Sequence, residues 1–200
     1  MTEDQEREAV SAALRVAGVD PTDLSRFVNA PNSAIPGLEP STFDSRRAHP
    51  VLLEWLPRVH APNLVATLAS RIRESGKQSG SARALIKKYR ERPSWQLGDA
   101  IARTMTPAEH GDVVQLCADA TAGRERQMLV DSLWRIRTDE ARLLIRNLVR
   151  DPSVARHAMS AARRAFGTEE ARALIEPLGD DPEVGGVAKD ALKRIDRARR

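Results

Sequence analysis

At 200 residues, with 41% hydrophobic and 30% charged content, the chain is long enough to bury a continuous core and polar enough to stay in water. Only 4% is aromatic, and Ala, Leu, Val and Arg dominate, which argues against sheets of β-branched and aromatic residues and for helices packed through small aliphatic side chains. The single Cys117 excludes an intramolecular disulfide, and a formal charge of +4 is too modest to indicate a polyanionic partner by itself.

The opening MTEDQEREAVSAALRVAGVD is acidic and lacks the positive start and apolar run of a secretory signal. Val10, Ala13, Leu14 and Ala17 share one helical face, which predicts an amphipathic helix over 3–17. A second short helix is expected from Pro21 or Thr22 through Phe27 and Val28. This N-terminal segment, 1–29, either caps the helices after it or forms an arm that reaches a partner. The stretch 30–50, APNSAIPGLEPSTFDSRRAHP, carries four Pro and one Gly without periodicity, so 30–48 reads as a linker or extended arm.

From residue 49 the pattern changes to paired helices. HPVLLEWLPRVHAPNLVATLASRI, 49–72, breaks at Ala61-Pro62-Asn63, with Trp55 expected in the core or as a partner anchor. ALIKKYRERPSWQLGDAIARTM, 84–105, breaks at Arg92-Pro93-Ser94, and 106–136 again reads helix, turn, helix. No run approaches the roughly 18 apolar residues of a membrane span, so no membrane contact is expected and the cytoplasm is the simplest location.

The last two units are near copies. DEARLLIRNLVRDPSV, 139–154, and EEARALIEPLGDDPEV, 169–184, place Ala141, Leu144, Ile145 and Leu148, then Ala171, Leu174, Ile175 and Leu178, at helical spacing. Each ends at Asp-Pro, which stops one helix and starts the next. Second helices come next in SVARHAMSAARRAF and EVGGVAKDALKRI. The Gly185-Gly186 pair predicts a weak start for the last one.

A helical pair repeated about every 30 residues cannot bury its apolar face alone, and stacking on its neighbours supplies the missing cover. The expected fold is therefore all-α, an α-solenoid of about five hairpins over 49–200. The motif resembles HEAT repeats, in particular the short bacterial kind in which a unit ends in Asp-Pro-x-Val and its second helix closes with a segment like ALKRI. That resemblance implies a non-enzymatic scaffold whose concave face, lined by second helices, binds another protein.

Catalysis needs convergent groups, and no motif supplies them. His49, His60, His110 and His157 are scattered and Cys117 has no partner Cys, so no catalytic residue, metal or cofactor is expected. GKQSGS, 76–81, lacks the strand and residue order of a phosphate loop. Arg71, Arg103, Arg135, Arg164 and Arg194 recur near the ends of successive second helices. Stacked in a ladder, and joined by Arg156 and Arg163, they form the expected surface for an acidic partner. The competing reading is that a cation in a last helical turn only answers the helix dipole.

Nucleic acid is the alternative partner. Residues 71–92 hold eight basic side chains, Lys87, Lys88 and Arg90 among them, against Glu74 and Glu91. Trp95 and Asp99 one turn apart, with Arg135 and Trp134 in the next unit, resemble the DNA-alkylation-repeat glycosylases, themselves HEAT-like. That resemblance implies aromatic walls from Trp95 and Trp134, a stabilising carboxylate from Asp99 and a phosphate clamp from Arg135. The residues alone suggest instead that Trp95 packs between units and that Asp99 is exposed or pairs with Arg103. Bilin lyases also use short HEAT-like repeats, but no local residue set here supports that chemistry.

Overall fold

The computed structural model describes residues 1–25 and 42–197, and every regular element among them is helical. The helices are α1 (Glu3–Val16), α2 (Ser45–Trp55), α3 (Pro62–Glu74), α4 (Ser81–Glu91), α5 (Trp95–Thr104) and α6 (His110–Ala118). They continue with α7 (Gln127–Ser132), α8 (Asp139–Leu148), α9 (Ala155–Ala165), α10 (Thr168–Ile175) and α11 (Gly185–Arg197). Short 3-10 segments lead into α6 and α7, extend α7 through Leu133–Arg135, and follow α10. The expected second N-terminal helix through Phe27 and Val28, and most of the Pro-rich stretch, lie outside the described residues.

The boundaries follow from local chemistry. A capping box of Thr2 and Gln5 starts α1, while Ser94 and Thr138 each accept from a backbone amide to start α5 and α8. Helix α2 begins at Ser45, ahead of the expected start at 49, because Asp44 accepts from the amide of Arg47. Pro50 is accommodated on the exposed side of that helix. The two Asp-Pro segments separate the helices as expected, but the aspartate does not cap the next helix: α9 starts after Val154 without a side-chain cap, and each aspartate closes the turn that precedes the helix. Asp151 accepts from the Ser153 amide at 2.9 Å, and Asp181 from the Glu183 and Val184 amides at 2.8 and 3.0 Å.

Each even-numbered helix from α2 onward packs on the odd-numbered helix after it. The odd-numbered helices also pack on one another in chain order, α3 on α5, α5 on α7, α7 on α9 and α9 on α11. The even-numbered helices touch their own kind extensively only between α6 and α8. Leu64, Leu68, Leu97, Ile101, Leu129, Leu133, Met159 and Ile195 carry one continuous apolar core down the odd row. In α9 the small Ala158, Ala161 and Ala162 are buried and let both neighbours approach closely.

Gly185 has a purpose that the sequence pattern concealed. A Cβ built there lies 2.7 Å from the carbonyl oxygen of Gly179, so only glycine lets α11 start against the end of the preceding segment. Helix α1 packs on α2 and α3 through Val10 and Leu14. Its Glu6, only 2% exposed, accepts from the amides of His60 at 3.0 Å and Ala61 at 3.0 Å, just where α3 begins. The described part of the N-terminal segment is thus seated on the first helical pair.

Candidate functional site

The odd-numbered row presents its charged side chains in a regular register. On α5, α7 and α11 an aspartate stands four residues ahead of an arginine: Asp99 and Arg103, Asp131 and Arg135, Asp190 and Arg194. Four residues apart on a helix means one face, so each pair can neutralise itself or a neighbour. On α9 the position ahead of Arg164 is Ser160 instead.

Pairing between helices follows this register at one step and departs from it at the others. Arg164 of α9 reaches back to Asp131 of α7 at 3.1 Å. Arg135 donates to the carbonyl of Ala102 at 2.9 Å, at the end of α5. Asp99 is buried, 6% exposed, and is held by Arg73 of α3 and by Arg103 at 3.4 Å. Of the two expectations for Asp99, exposure is corrected and the pair with Arg103 is present, joined by a second cation, Arg73, where the carboxylate is buried between α3 and α5.

Between Arg135 and Arg164 lies Trp134, with the two guanidinium carbons 5.4 and 5.6 Å from its ring centroid. The indole packs against the core, and its buried N–H finds no acceptor among the described residues. An aromatic ring braced by two arginines and a carboxylate is a rigid, amphipathic patch in the middle of the row.

The next stretch of the row is a shallow cleft between α9 and α11, lined by Arg156, Ser160, Arg163, Asp190 and Arg194 over Val187 and Ala191. Among the described residues none of these three arginines has an acidic side chain within 4.0 Å, in contrast to Arg73, Arg103 and Arg164.

The remaining candidates from the sequence do not converge on one surface. Arg71 is 2% exposed, and its guanidinium donates to the carbonyls of Asp23 and Leu24 and to Glu74 at 2.8 Å, so it fastens the N-terminal segment and no partner can reach it. Lys88 is buried and paired with Glu91 at 3.0 Å, and Arg90 is bound to Asp112. Lys87 is exposed. Half of the basic residues of 71–92, Arg71, Arg73, Lys88 and Arg90, are thus taken up by internal pairs, while Lys77, Arg83, Lys87 and Arg92 are exposed.

Trp95 starts α5, exposed, with its amide bonded to Glu125 at 2.7 Å. It lies about 10 Å along the helix axis from Ala102, where Arg135 is tied. Trp95 and Trp134 thus mark different ends of the α5–α7 pair and do not form two walls of one pocket, and Asp99 is closed off by its arginines. Trp55 is half-buried against the core with Arg58 over its ring at 5.4 Å.

Several buried polar groups were not foreseen. Arg126, 1% exposed, donates to the carbonyl of Cys117 at 2.7 Å and to Asp151, and so links the third helical pair to the Asp-Pro turn of the fourth. Burial raises the carboxyl of Asp151, but the Ser153 donors and the Arg126 charge more than offset this and hold it below its usual range. His49 sits between the hydroxyls of Ser75 at 2.7 Å and Ser81 at 3.2 Å, and burial lowers its pKa. Ser75 already donates to the carbonyl of Ile72, so His49 carries its proton on Nδ1 and accepts at Nε2. The thiol of Cys117 is buried and pushed up by desolvation, which leaves it a small apolar side chain. No helix among the described residues is long and apolar enough to cross a membrane.

Comparison with models of protein families, with curated proteins and with solved structures gave no match to this chain. Its function is therefore argued from the odd-numbered row itself.

Proposed function

We propose that the chain is a HEAT-like α-solenoid of about five hairpins that works as a non-enzymatic scaffold, docking another protein on the face of α3, α5, α7, α9 and α11. The packing order supports the solenoid. Odd-numbered helices touch in sequence while even-numbered ones touch extensively only between α6 and α8, which fits a stack curved toward the odd row.

The observation that carries the docking face is Trp134 braced by Arg135 and Arg164 above Asp131. Trp and Arg dominate the binding energy of protein interfaces, especially where packing holds them rigid. The alternation of Asp99, Arg103, Asp131, Arg135, Asp190 and Arg194 favours a protein of mixed charge over nucleic acid. A continuous phosphate backbone gains from uninterrupted cations and is repelled by interspersed carboxylates.

Photo-crosslinking tests this reading in an extract of the producing cells. A benzophenone side chain at position 103 is expected to capture a defined protein, whereas one at the outward positions 143 or 146 is not. Equal capture from both sets, or capture from 143 and 146 alone, contradicts the assignment.

A further inference from the structure

Among the described residues, one arginine at this position of the odd row pairs with the aspartate of the helix before it. Arg164 of α9 finds Asp131 one helix back, and the equivalent step from Arg194 of α11 leads to Ser160. Ser160 cannot neutralise it. Arg163 and Arg156 line the same cleft, so three arginines share it with the single carboxylate of Asp190, which lies beyond ion-pair reach of each. Asp190 itself has its ion pair with Lys193, at 3.7 Å.

We infer that this cleft is an acceptor for carboxylate side chains of an acidic segment in a protein partner, an assignment that rests on the odd-row docking face proposed above. Guanidinium forks match carboxylates in two-point hydrogen bonds, and the Ser160 hydroxyl adds a short donor between them. Partial burial of Arg163 and Ser160 among Val187 and Ala191 lowers the local dielectric and strengthens each contact. The site is local. Asp190 stands in the cleft itself, so the three arginines leave excess positive charge for one or two acidic side chains.

The missing aspartate also supplies the test. Isotope-labelled full-length protein is titrated with a capped hexaglutamate peptide at about 20 mM salt, where screening is weak. Shifts are expected at the Nε–H signals of Arg156, Arg163 and Arg194 and at the Ser160 amide. Ser160→Asp restores the register by giving Arg194 its own carboxylate, and it is expected to weaken peptide binding by about tenfold or more. Arg146→Gln, on α8 away from the cleft, is expected to leave binding unchanged. Arg194→Gln serves as a second variant should Ser160→Asp disturb the α9–α11 packing, and it must weaken binding likewise.

Absence of shifts in the wild type, or unchanged affinity in both cleft variants, overturns the acceptor site. The crosslinking result for the row as a whole is independent of that outcome, so the two readings fail separately. A single-stranded hexathymidylate that shifts the same signals more tightly than the peptide also overturns the carboxylate assignment, and identifies phosphate as the ligand.

Discussion

Replacing Arg126 by methionine removes a buried, multiply bonded cation while nearly preserving its volume. Arg126 donates to the carbonyls of Cys117 at 2.7 Å and Gly123 at 3.2 Å, and its charge meets Asp151. Loss of the donor strands a buried carbonyl, at a cost of about 1–3 kcal/mol. Asp151 suffers less, because its side chain is 27% exposed and keeps the two Ser153 donors. The whole effect falls at about 3–5 kcal/mol, the range for breaking a buried ion pair. In a 200-residue chain this lowers the melting temperature by about 6–20 °C. Urea and thermal denaturation followed by circular dichroism measure it directly. Asp151→Asn alone is expected to cost less, and the double variant less than the sum, since the two share one interaction. A loss below about 1 kcal/mol for Arg126→Met refutes the view that this pair clamps the third unit to the fourth.

Other outcomes rest on the same geometry. The Glu6 carboxyl is held below its usual range, first by the Ala61 amide and also by that of His60. Its contribution is therefore complete above the ordinary carboxylate pKa of 4.5 and lost as pH falls through the lower folded value. Glu6→Gln is expected to speed hydrogen exchange at the His60 and Ala61 amides at neutral pH, and unchanged protection there contradicts the capping role. Burial lowers the pKa values of both His49 and His157, so stability is present above the unfolded value of 6.5 and declines as pH drops from there toward the folded values. Denaturation midpoints at about pH 7 and pH 5 are expected to differ, and His49→Gln to flatten part of that slope; an unaltered slope means His49 titrates normally. Gly185→Ala drives a methyl toward the Gly179 carbonyl and is expected to destabilise by about 1–3 kcal/mol, whereas a neutral or stabilising effect rules out the close approach.

Helix type and pairing were legible because the apolar residues keep a strict helical period. Ala141, Ile145 and Leu148, then Ala171, Ile175 and Leu178, are all buried, as their spacing requires. The Asp-Pro turns were legible for the same reason, since turn chemistry is local. The Arg103 partner of Asp99 was legible as an i, i+4 pair, but its second partner Arg73 and the partners of Arg71, the N-terminal carbonyls of Asp23 and Leu24, were not, because they are distant in sequence. The glycine at 185 looked like a weak helix start, since propensity ignores the neighbouring carbonyl that demands it. One signal for the cleft does stand in the sequence: Asp four residues before Arg on α5, α7 and α11, where α9 has Ser160 before Arg164 and α3 has Thr67 before Arg71.

The central claim is that Trp134 and its two arginines form the heart of a docking face. Its most direct test is the affinity of the crosslinked protein partner, once purified, for Trp134→Leu compared with Leu143→Ala, each normalised to the folded fraction. The expected result is a loss of about tenfold or more for Trp134→Leu, as for an aromatic hot spot, and wild-type affinity for Leu143→Ala. Equal affinities for the two variants contradict the claim and move the binding surface off the odd-numbered row.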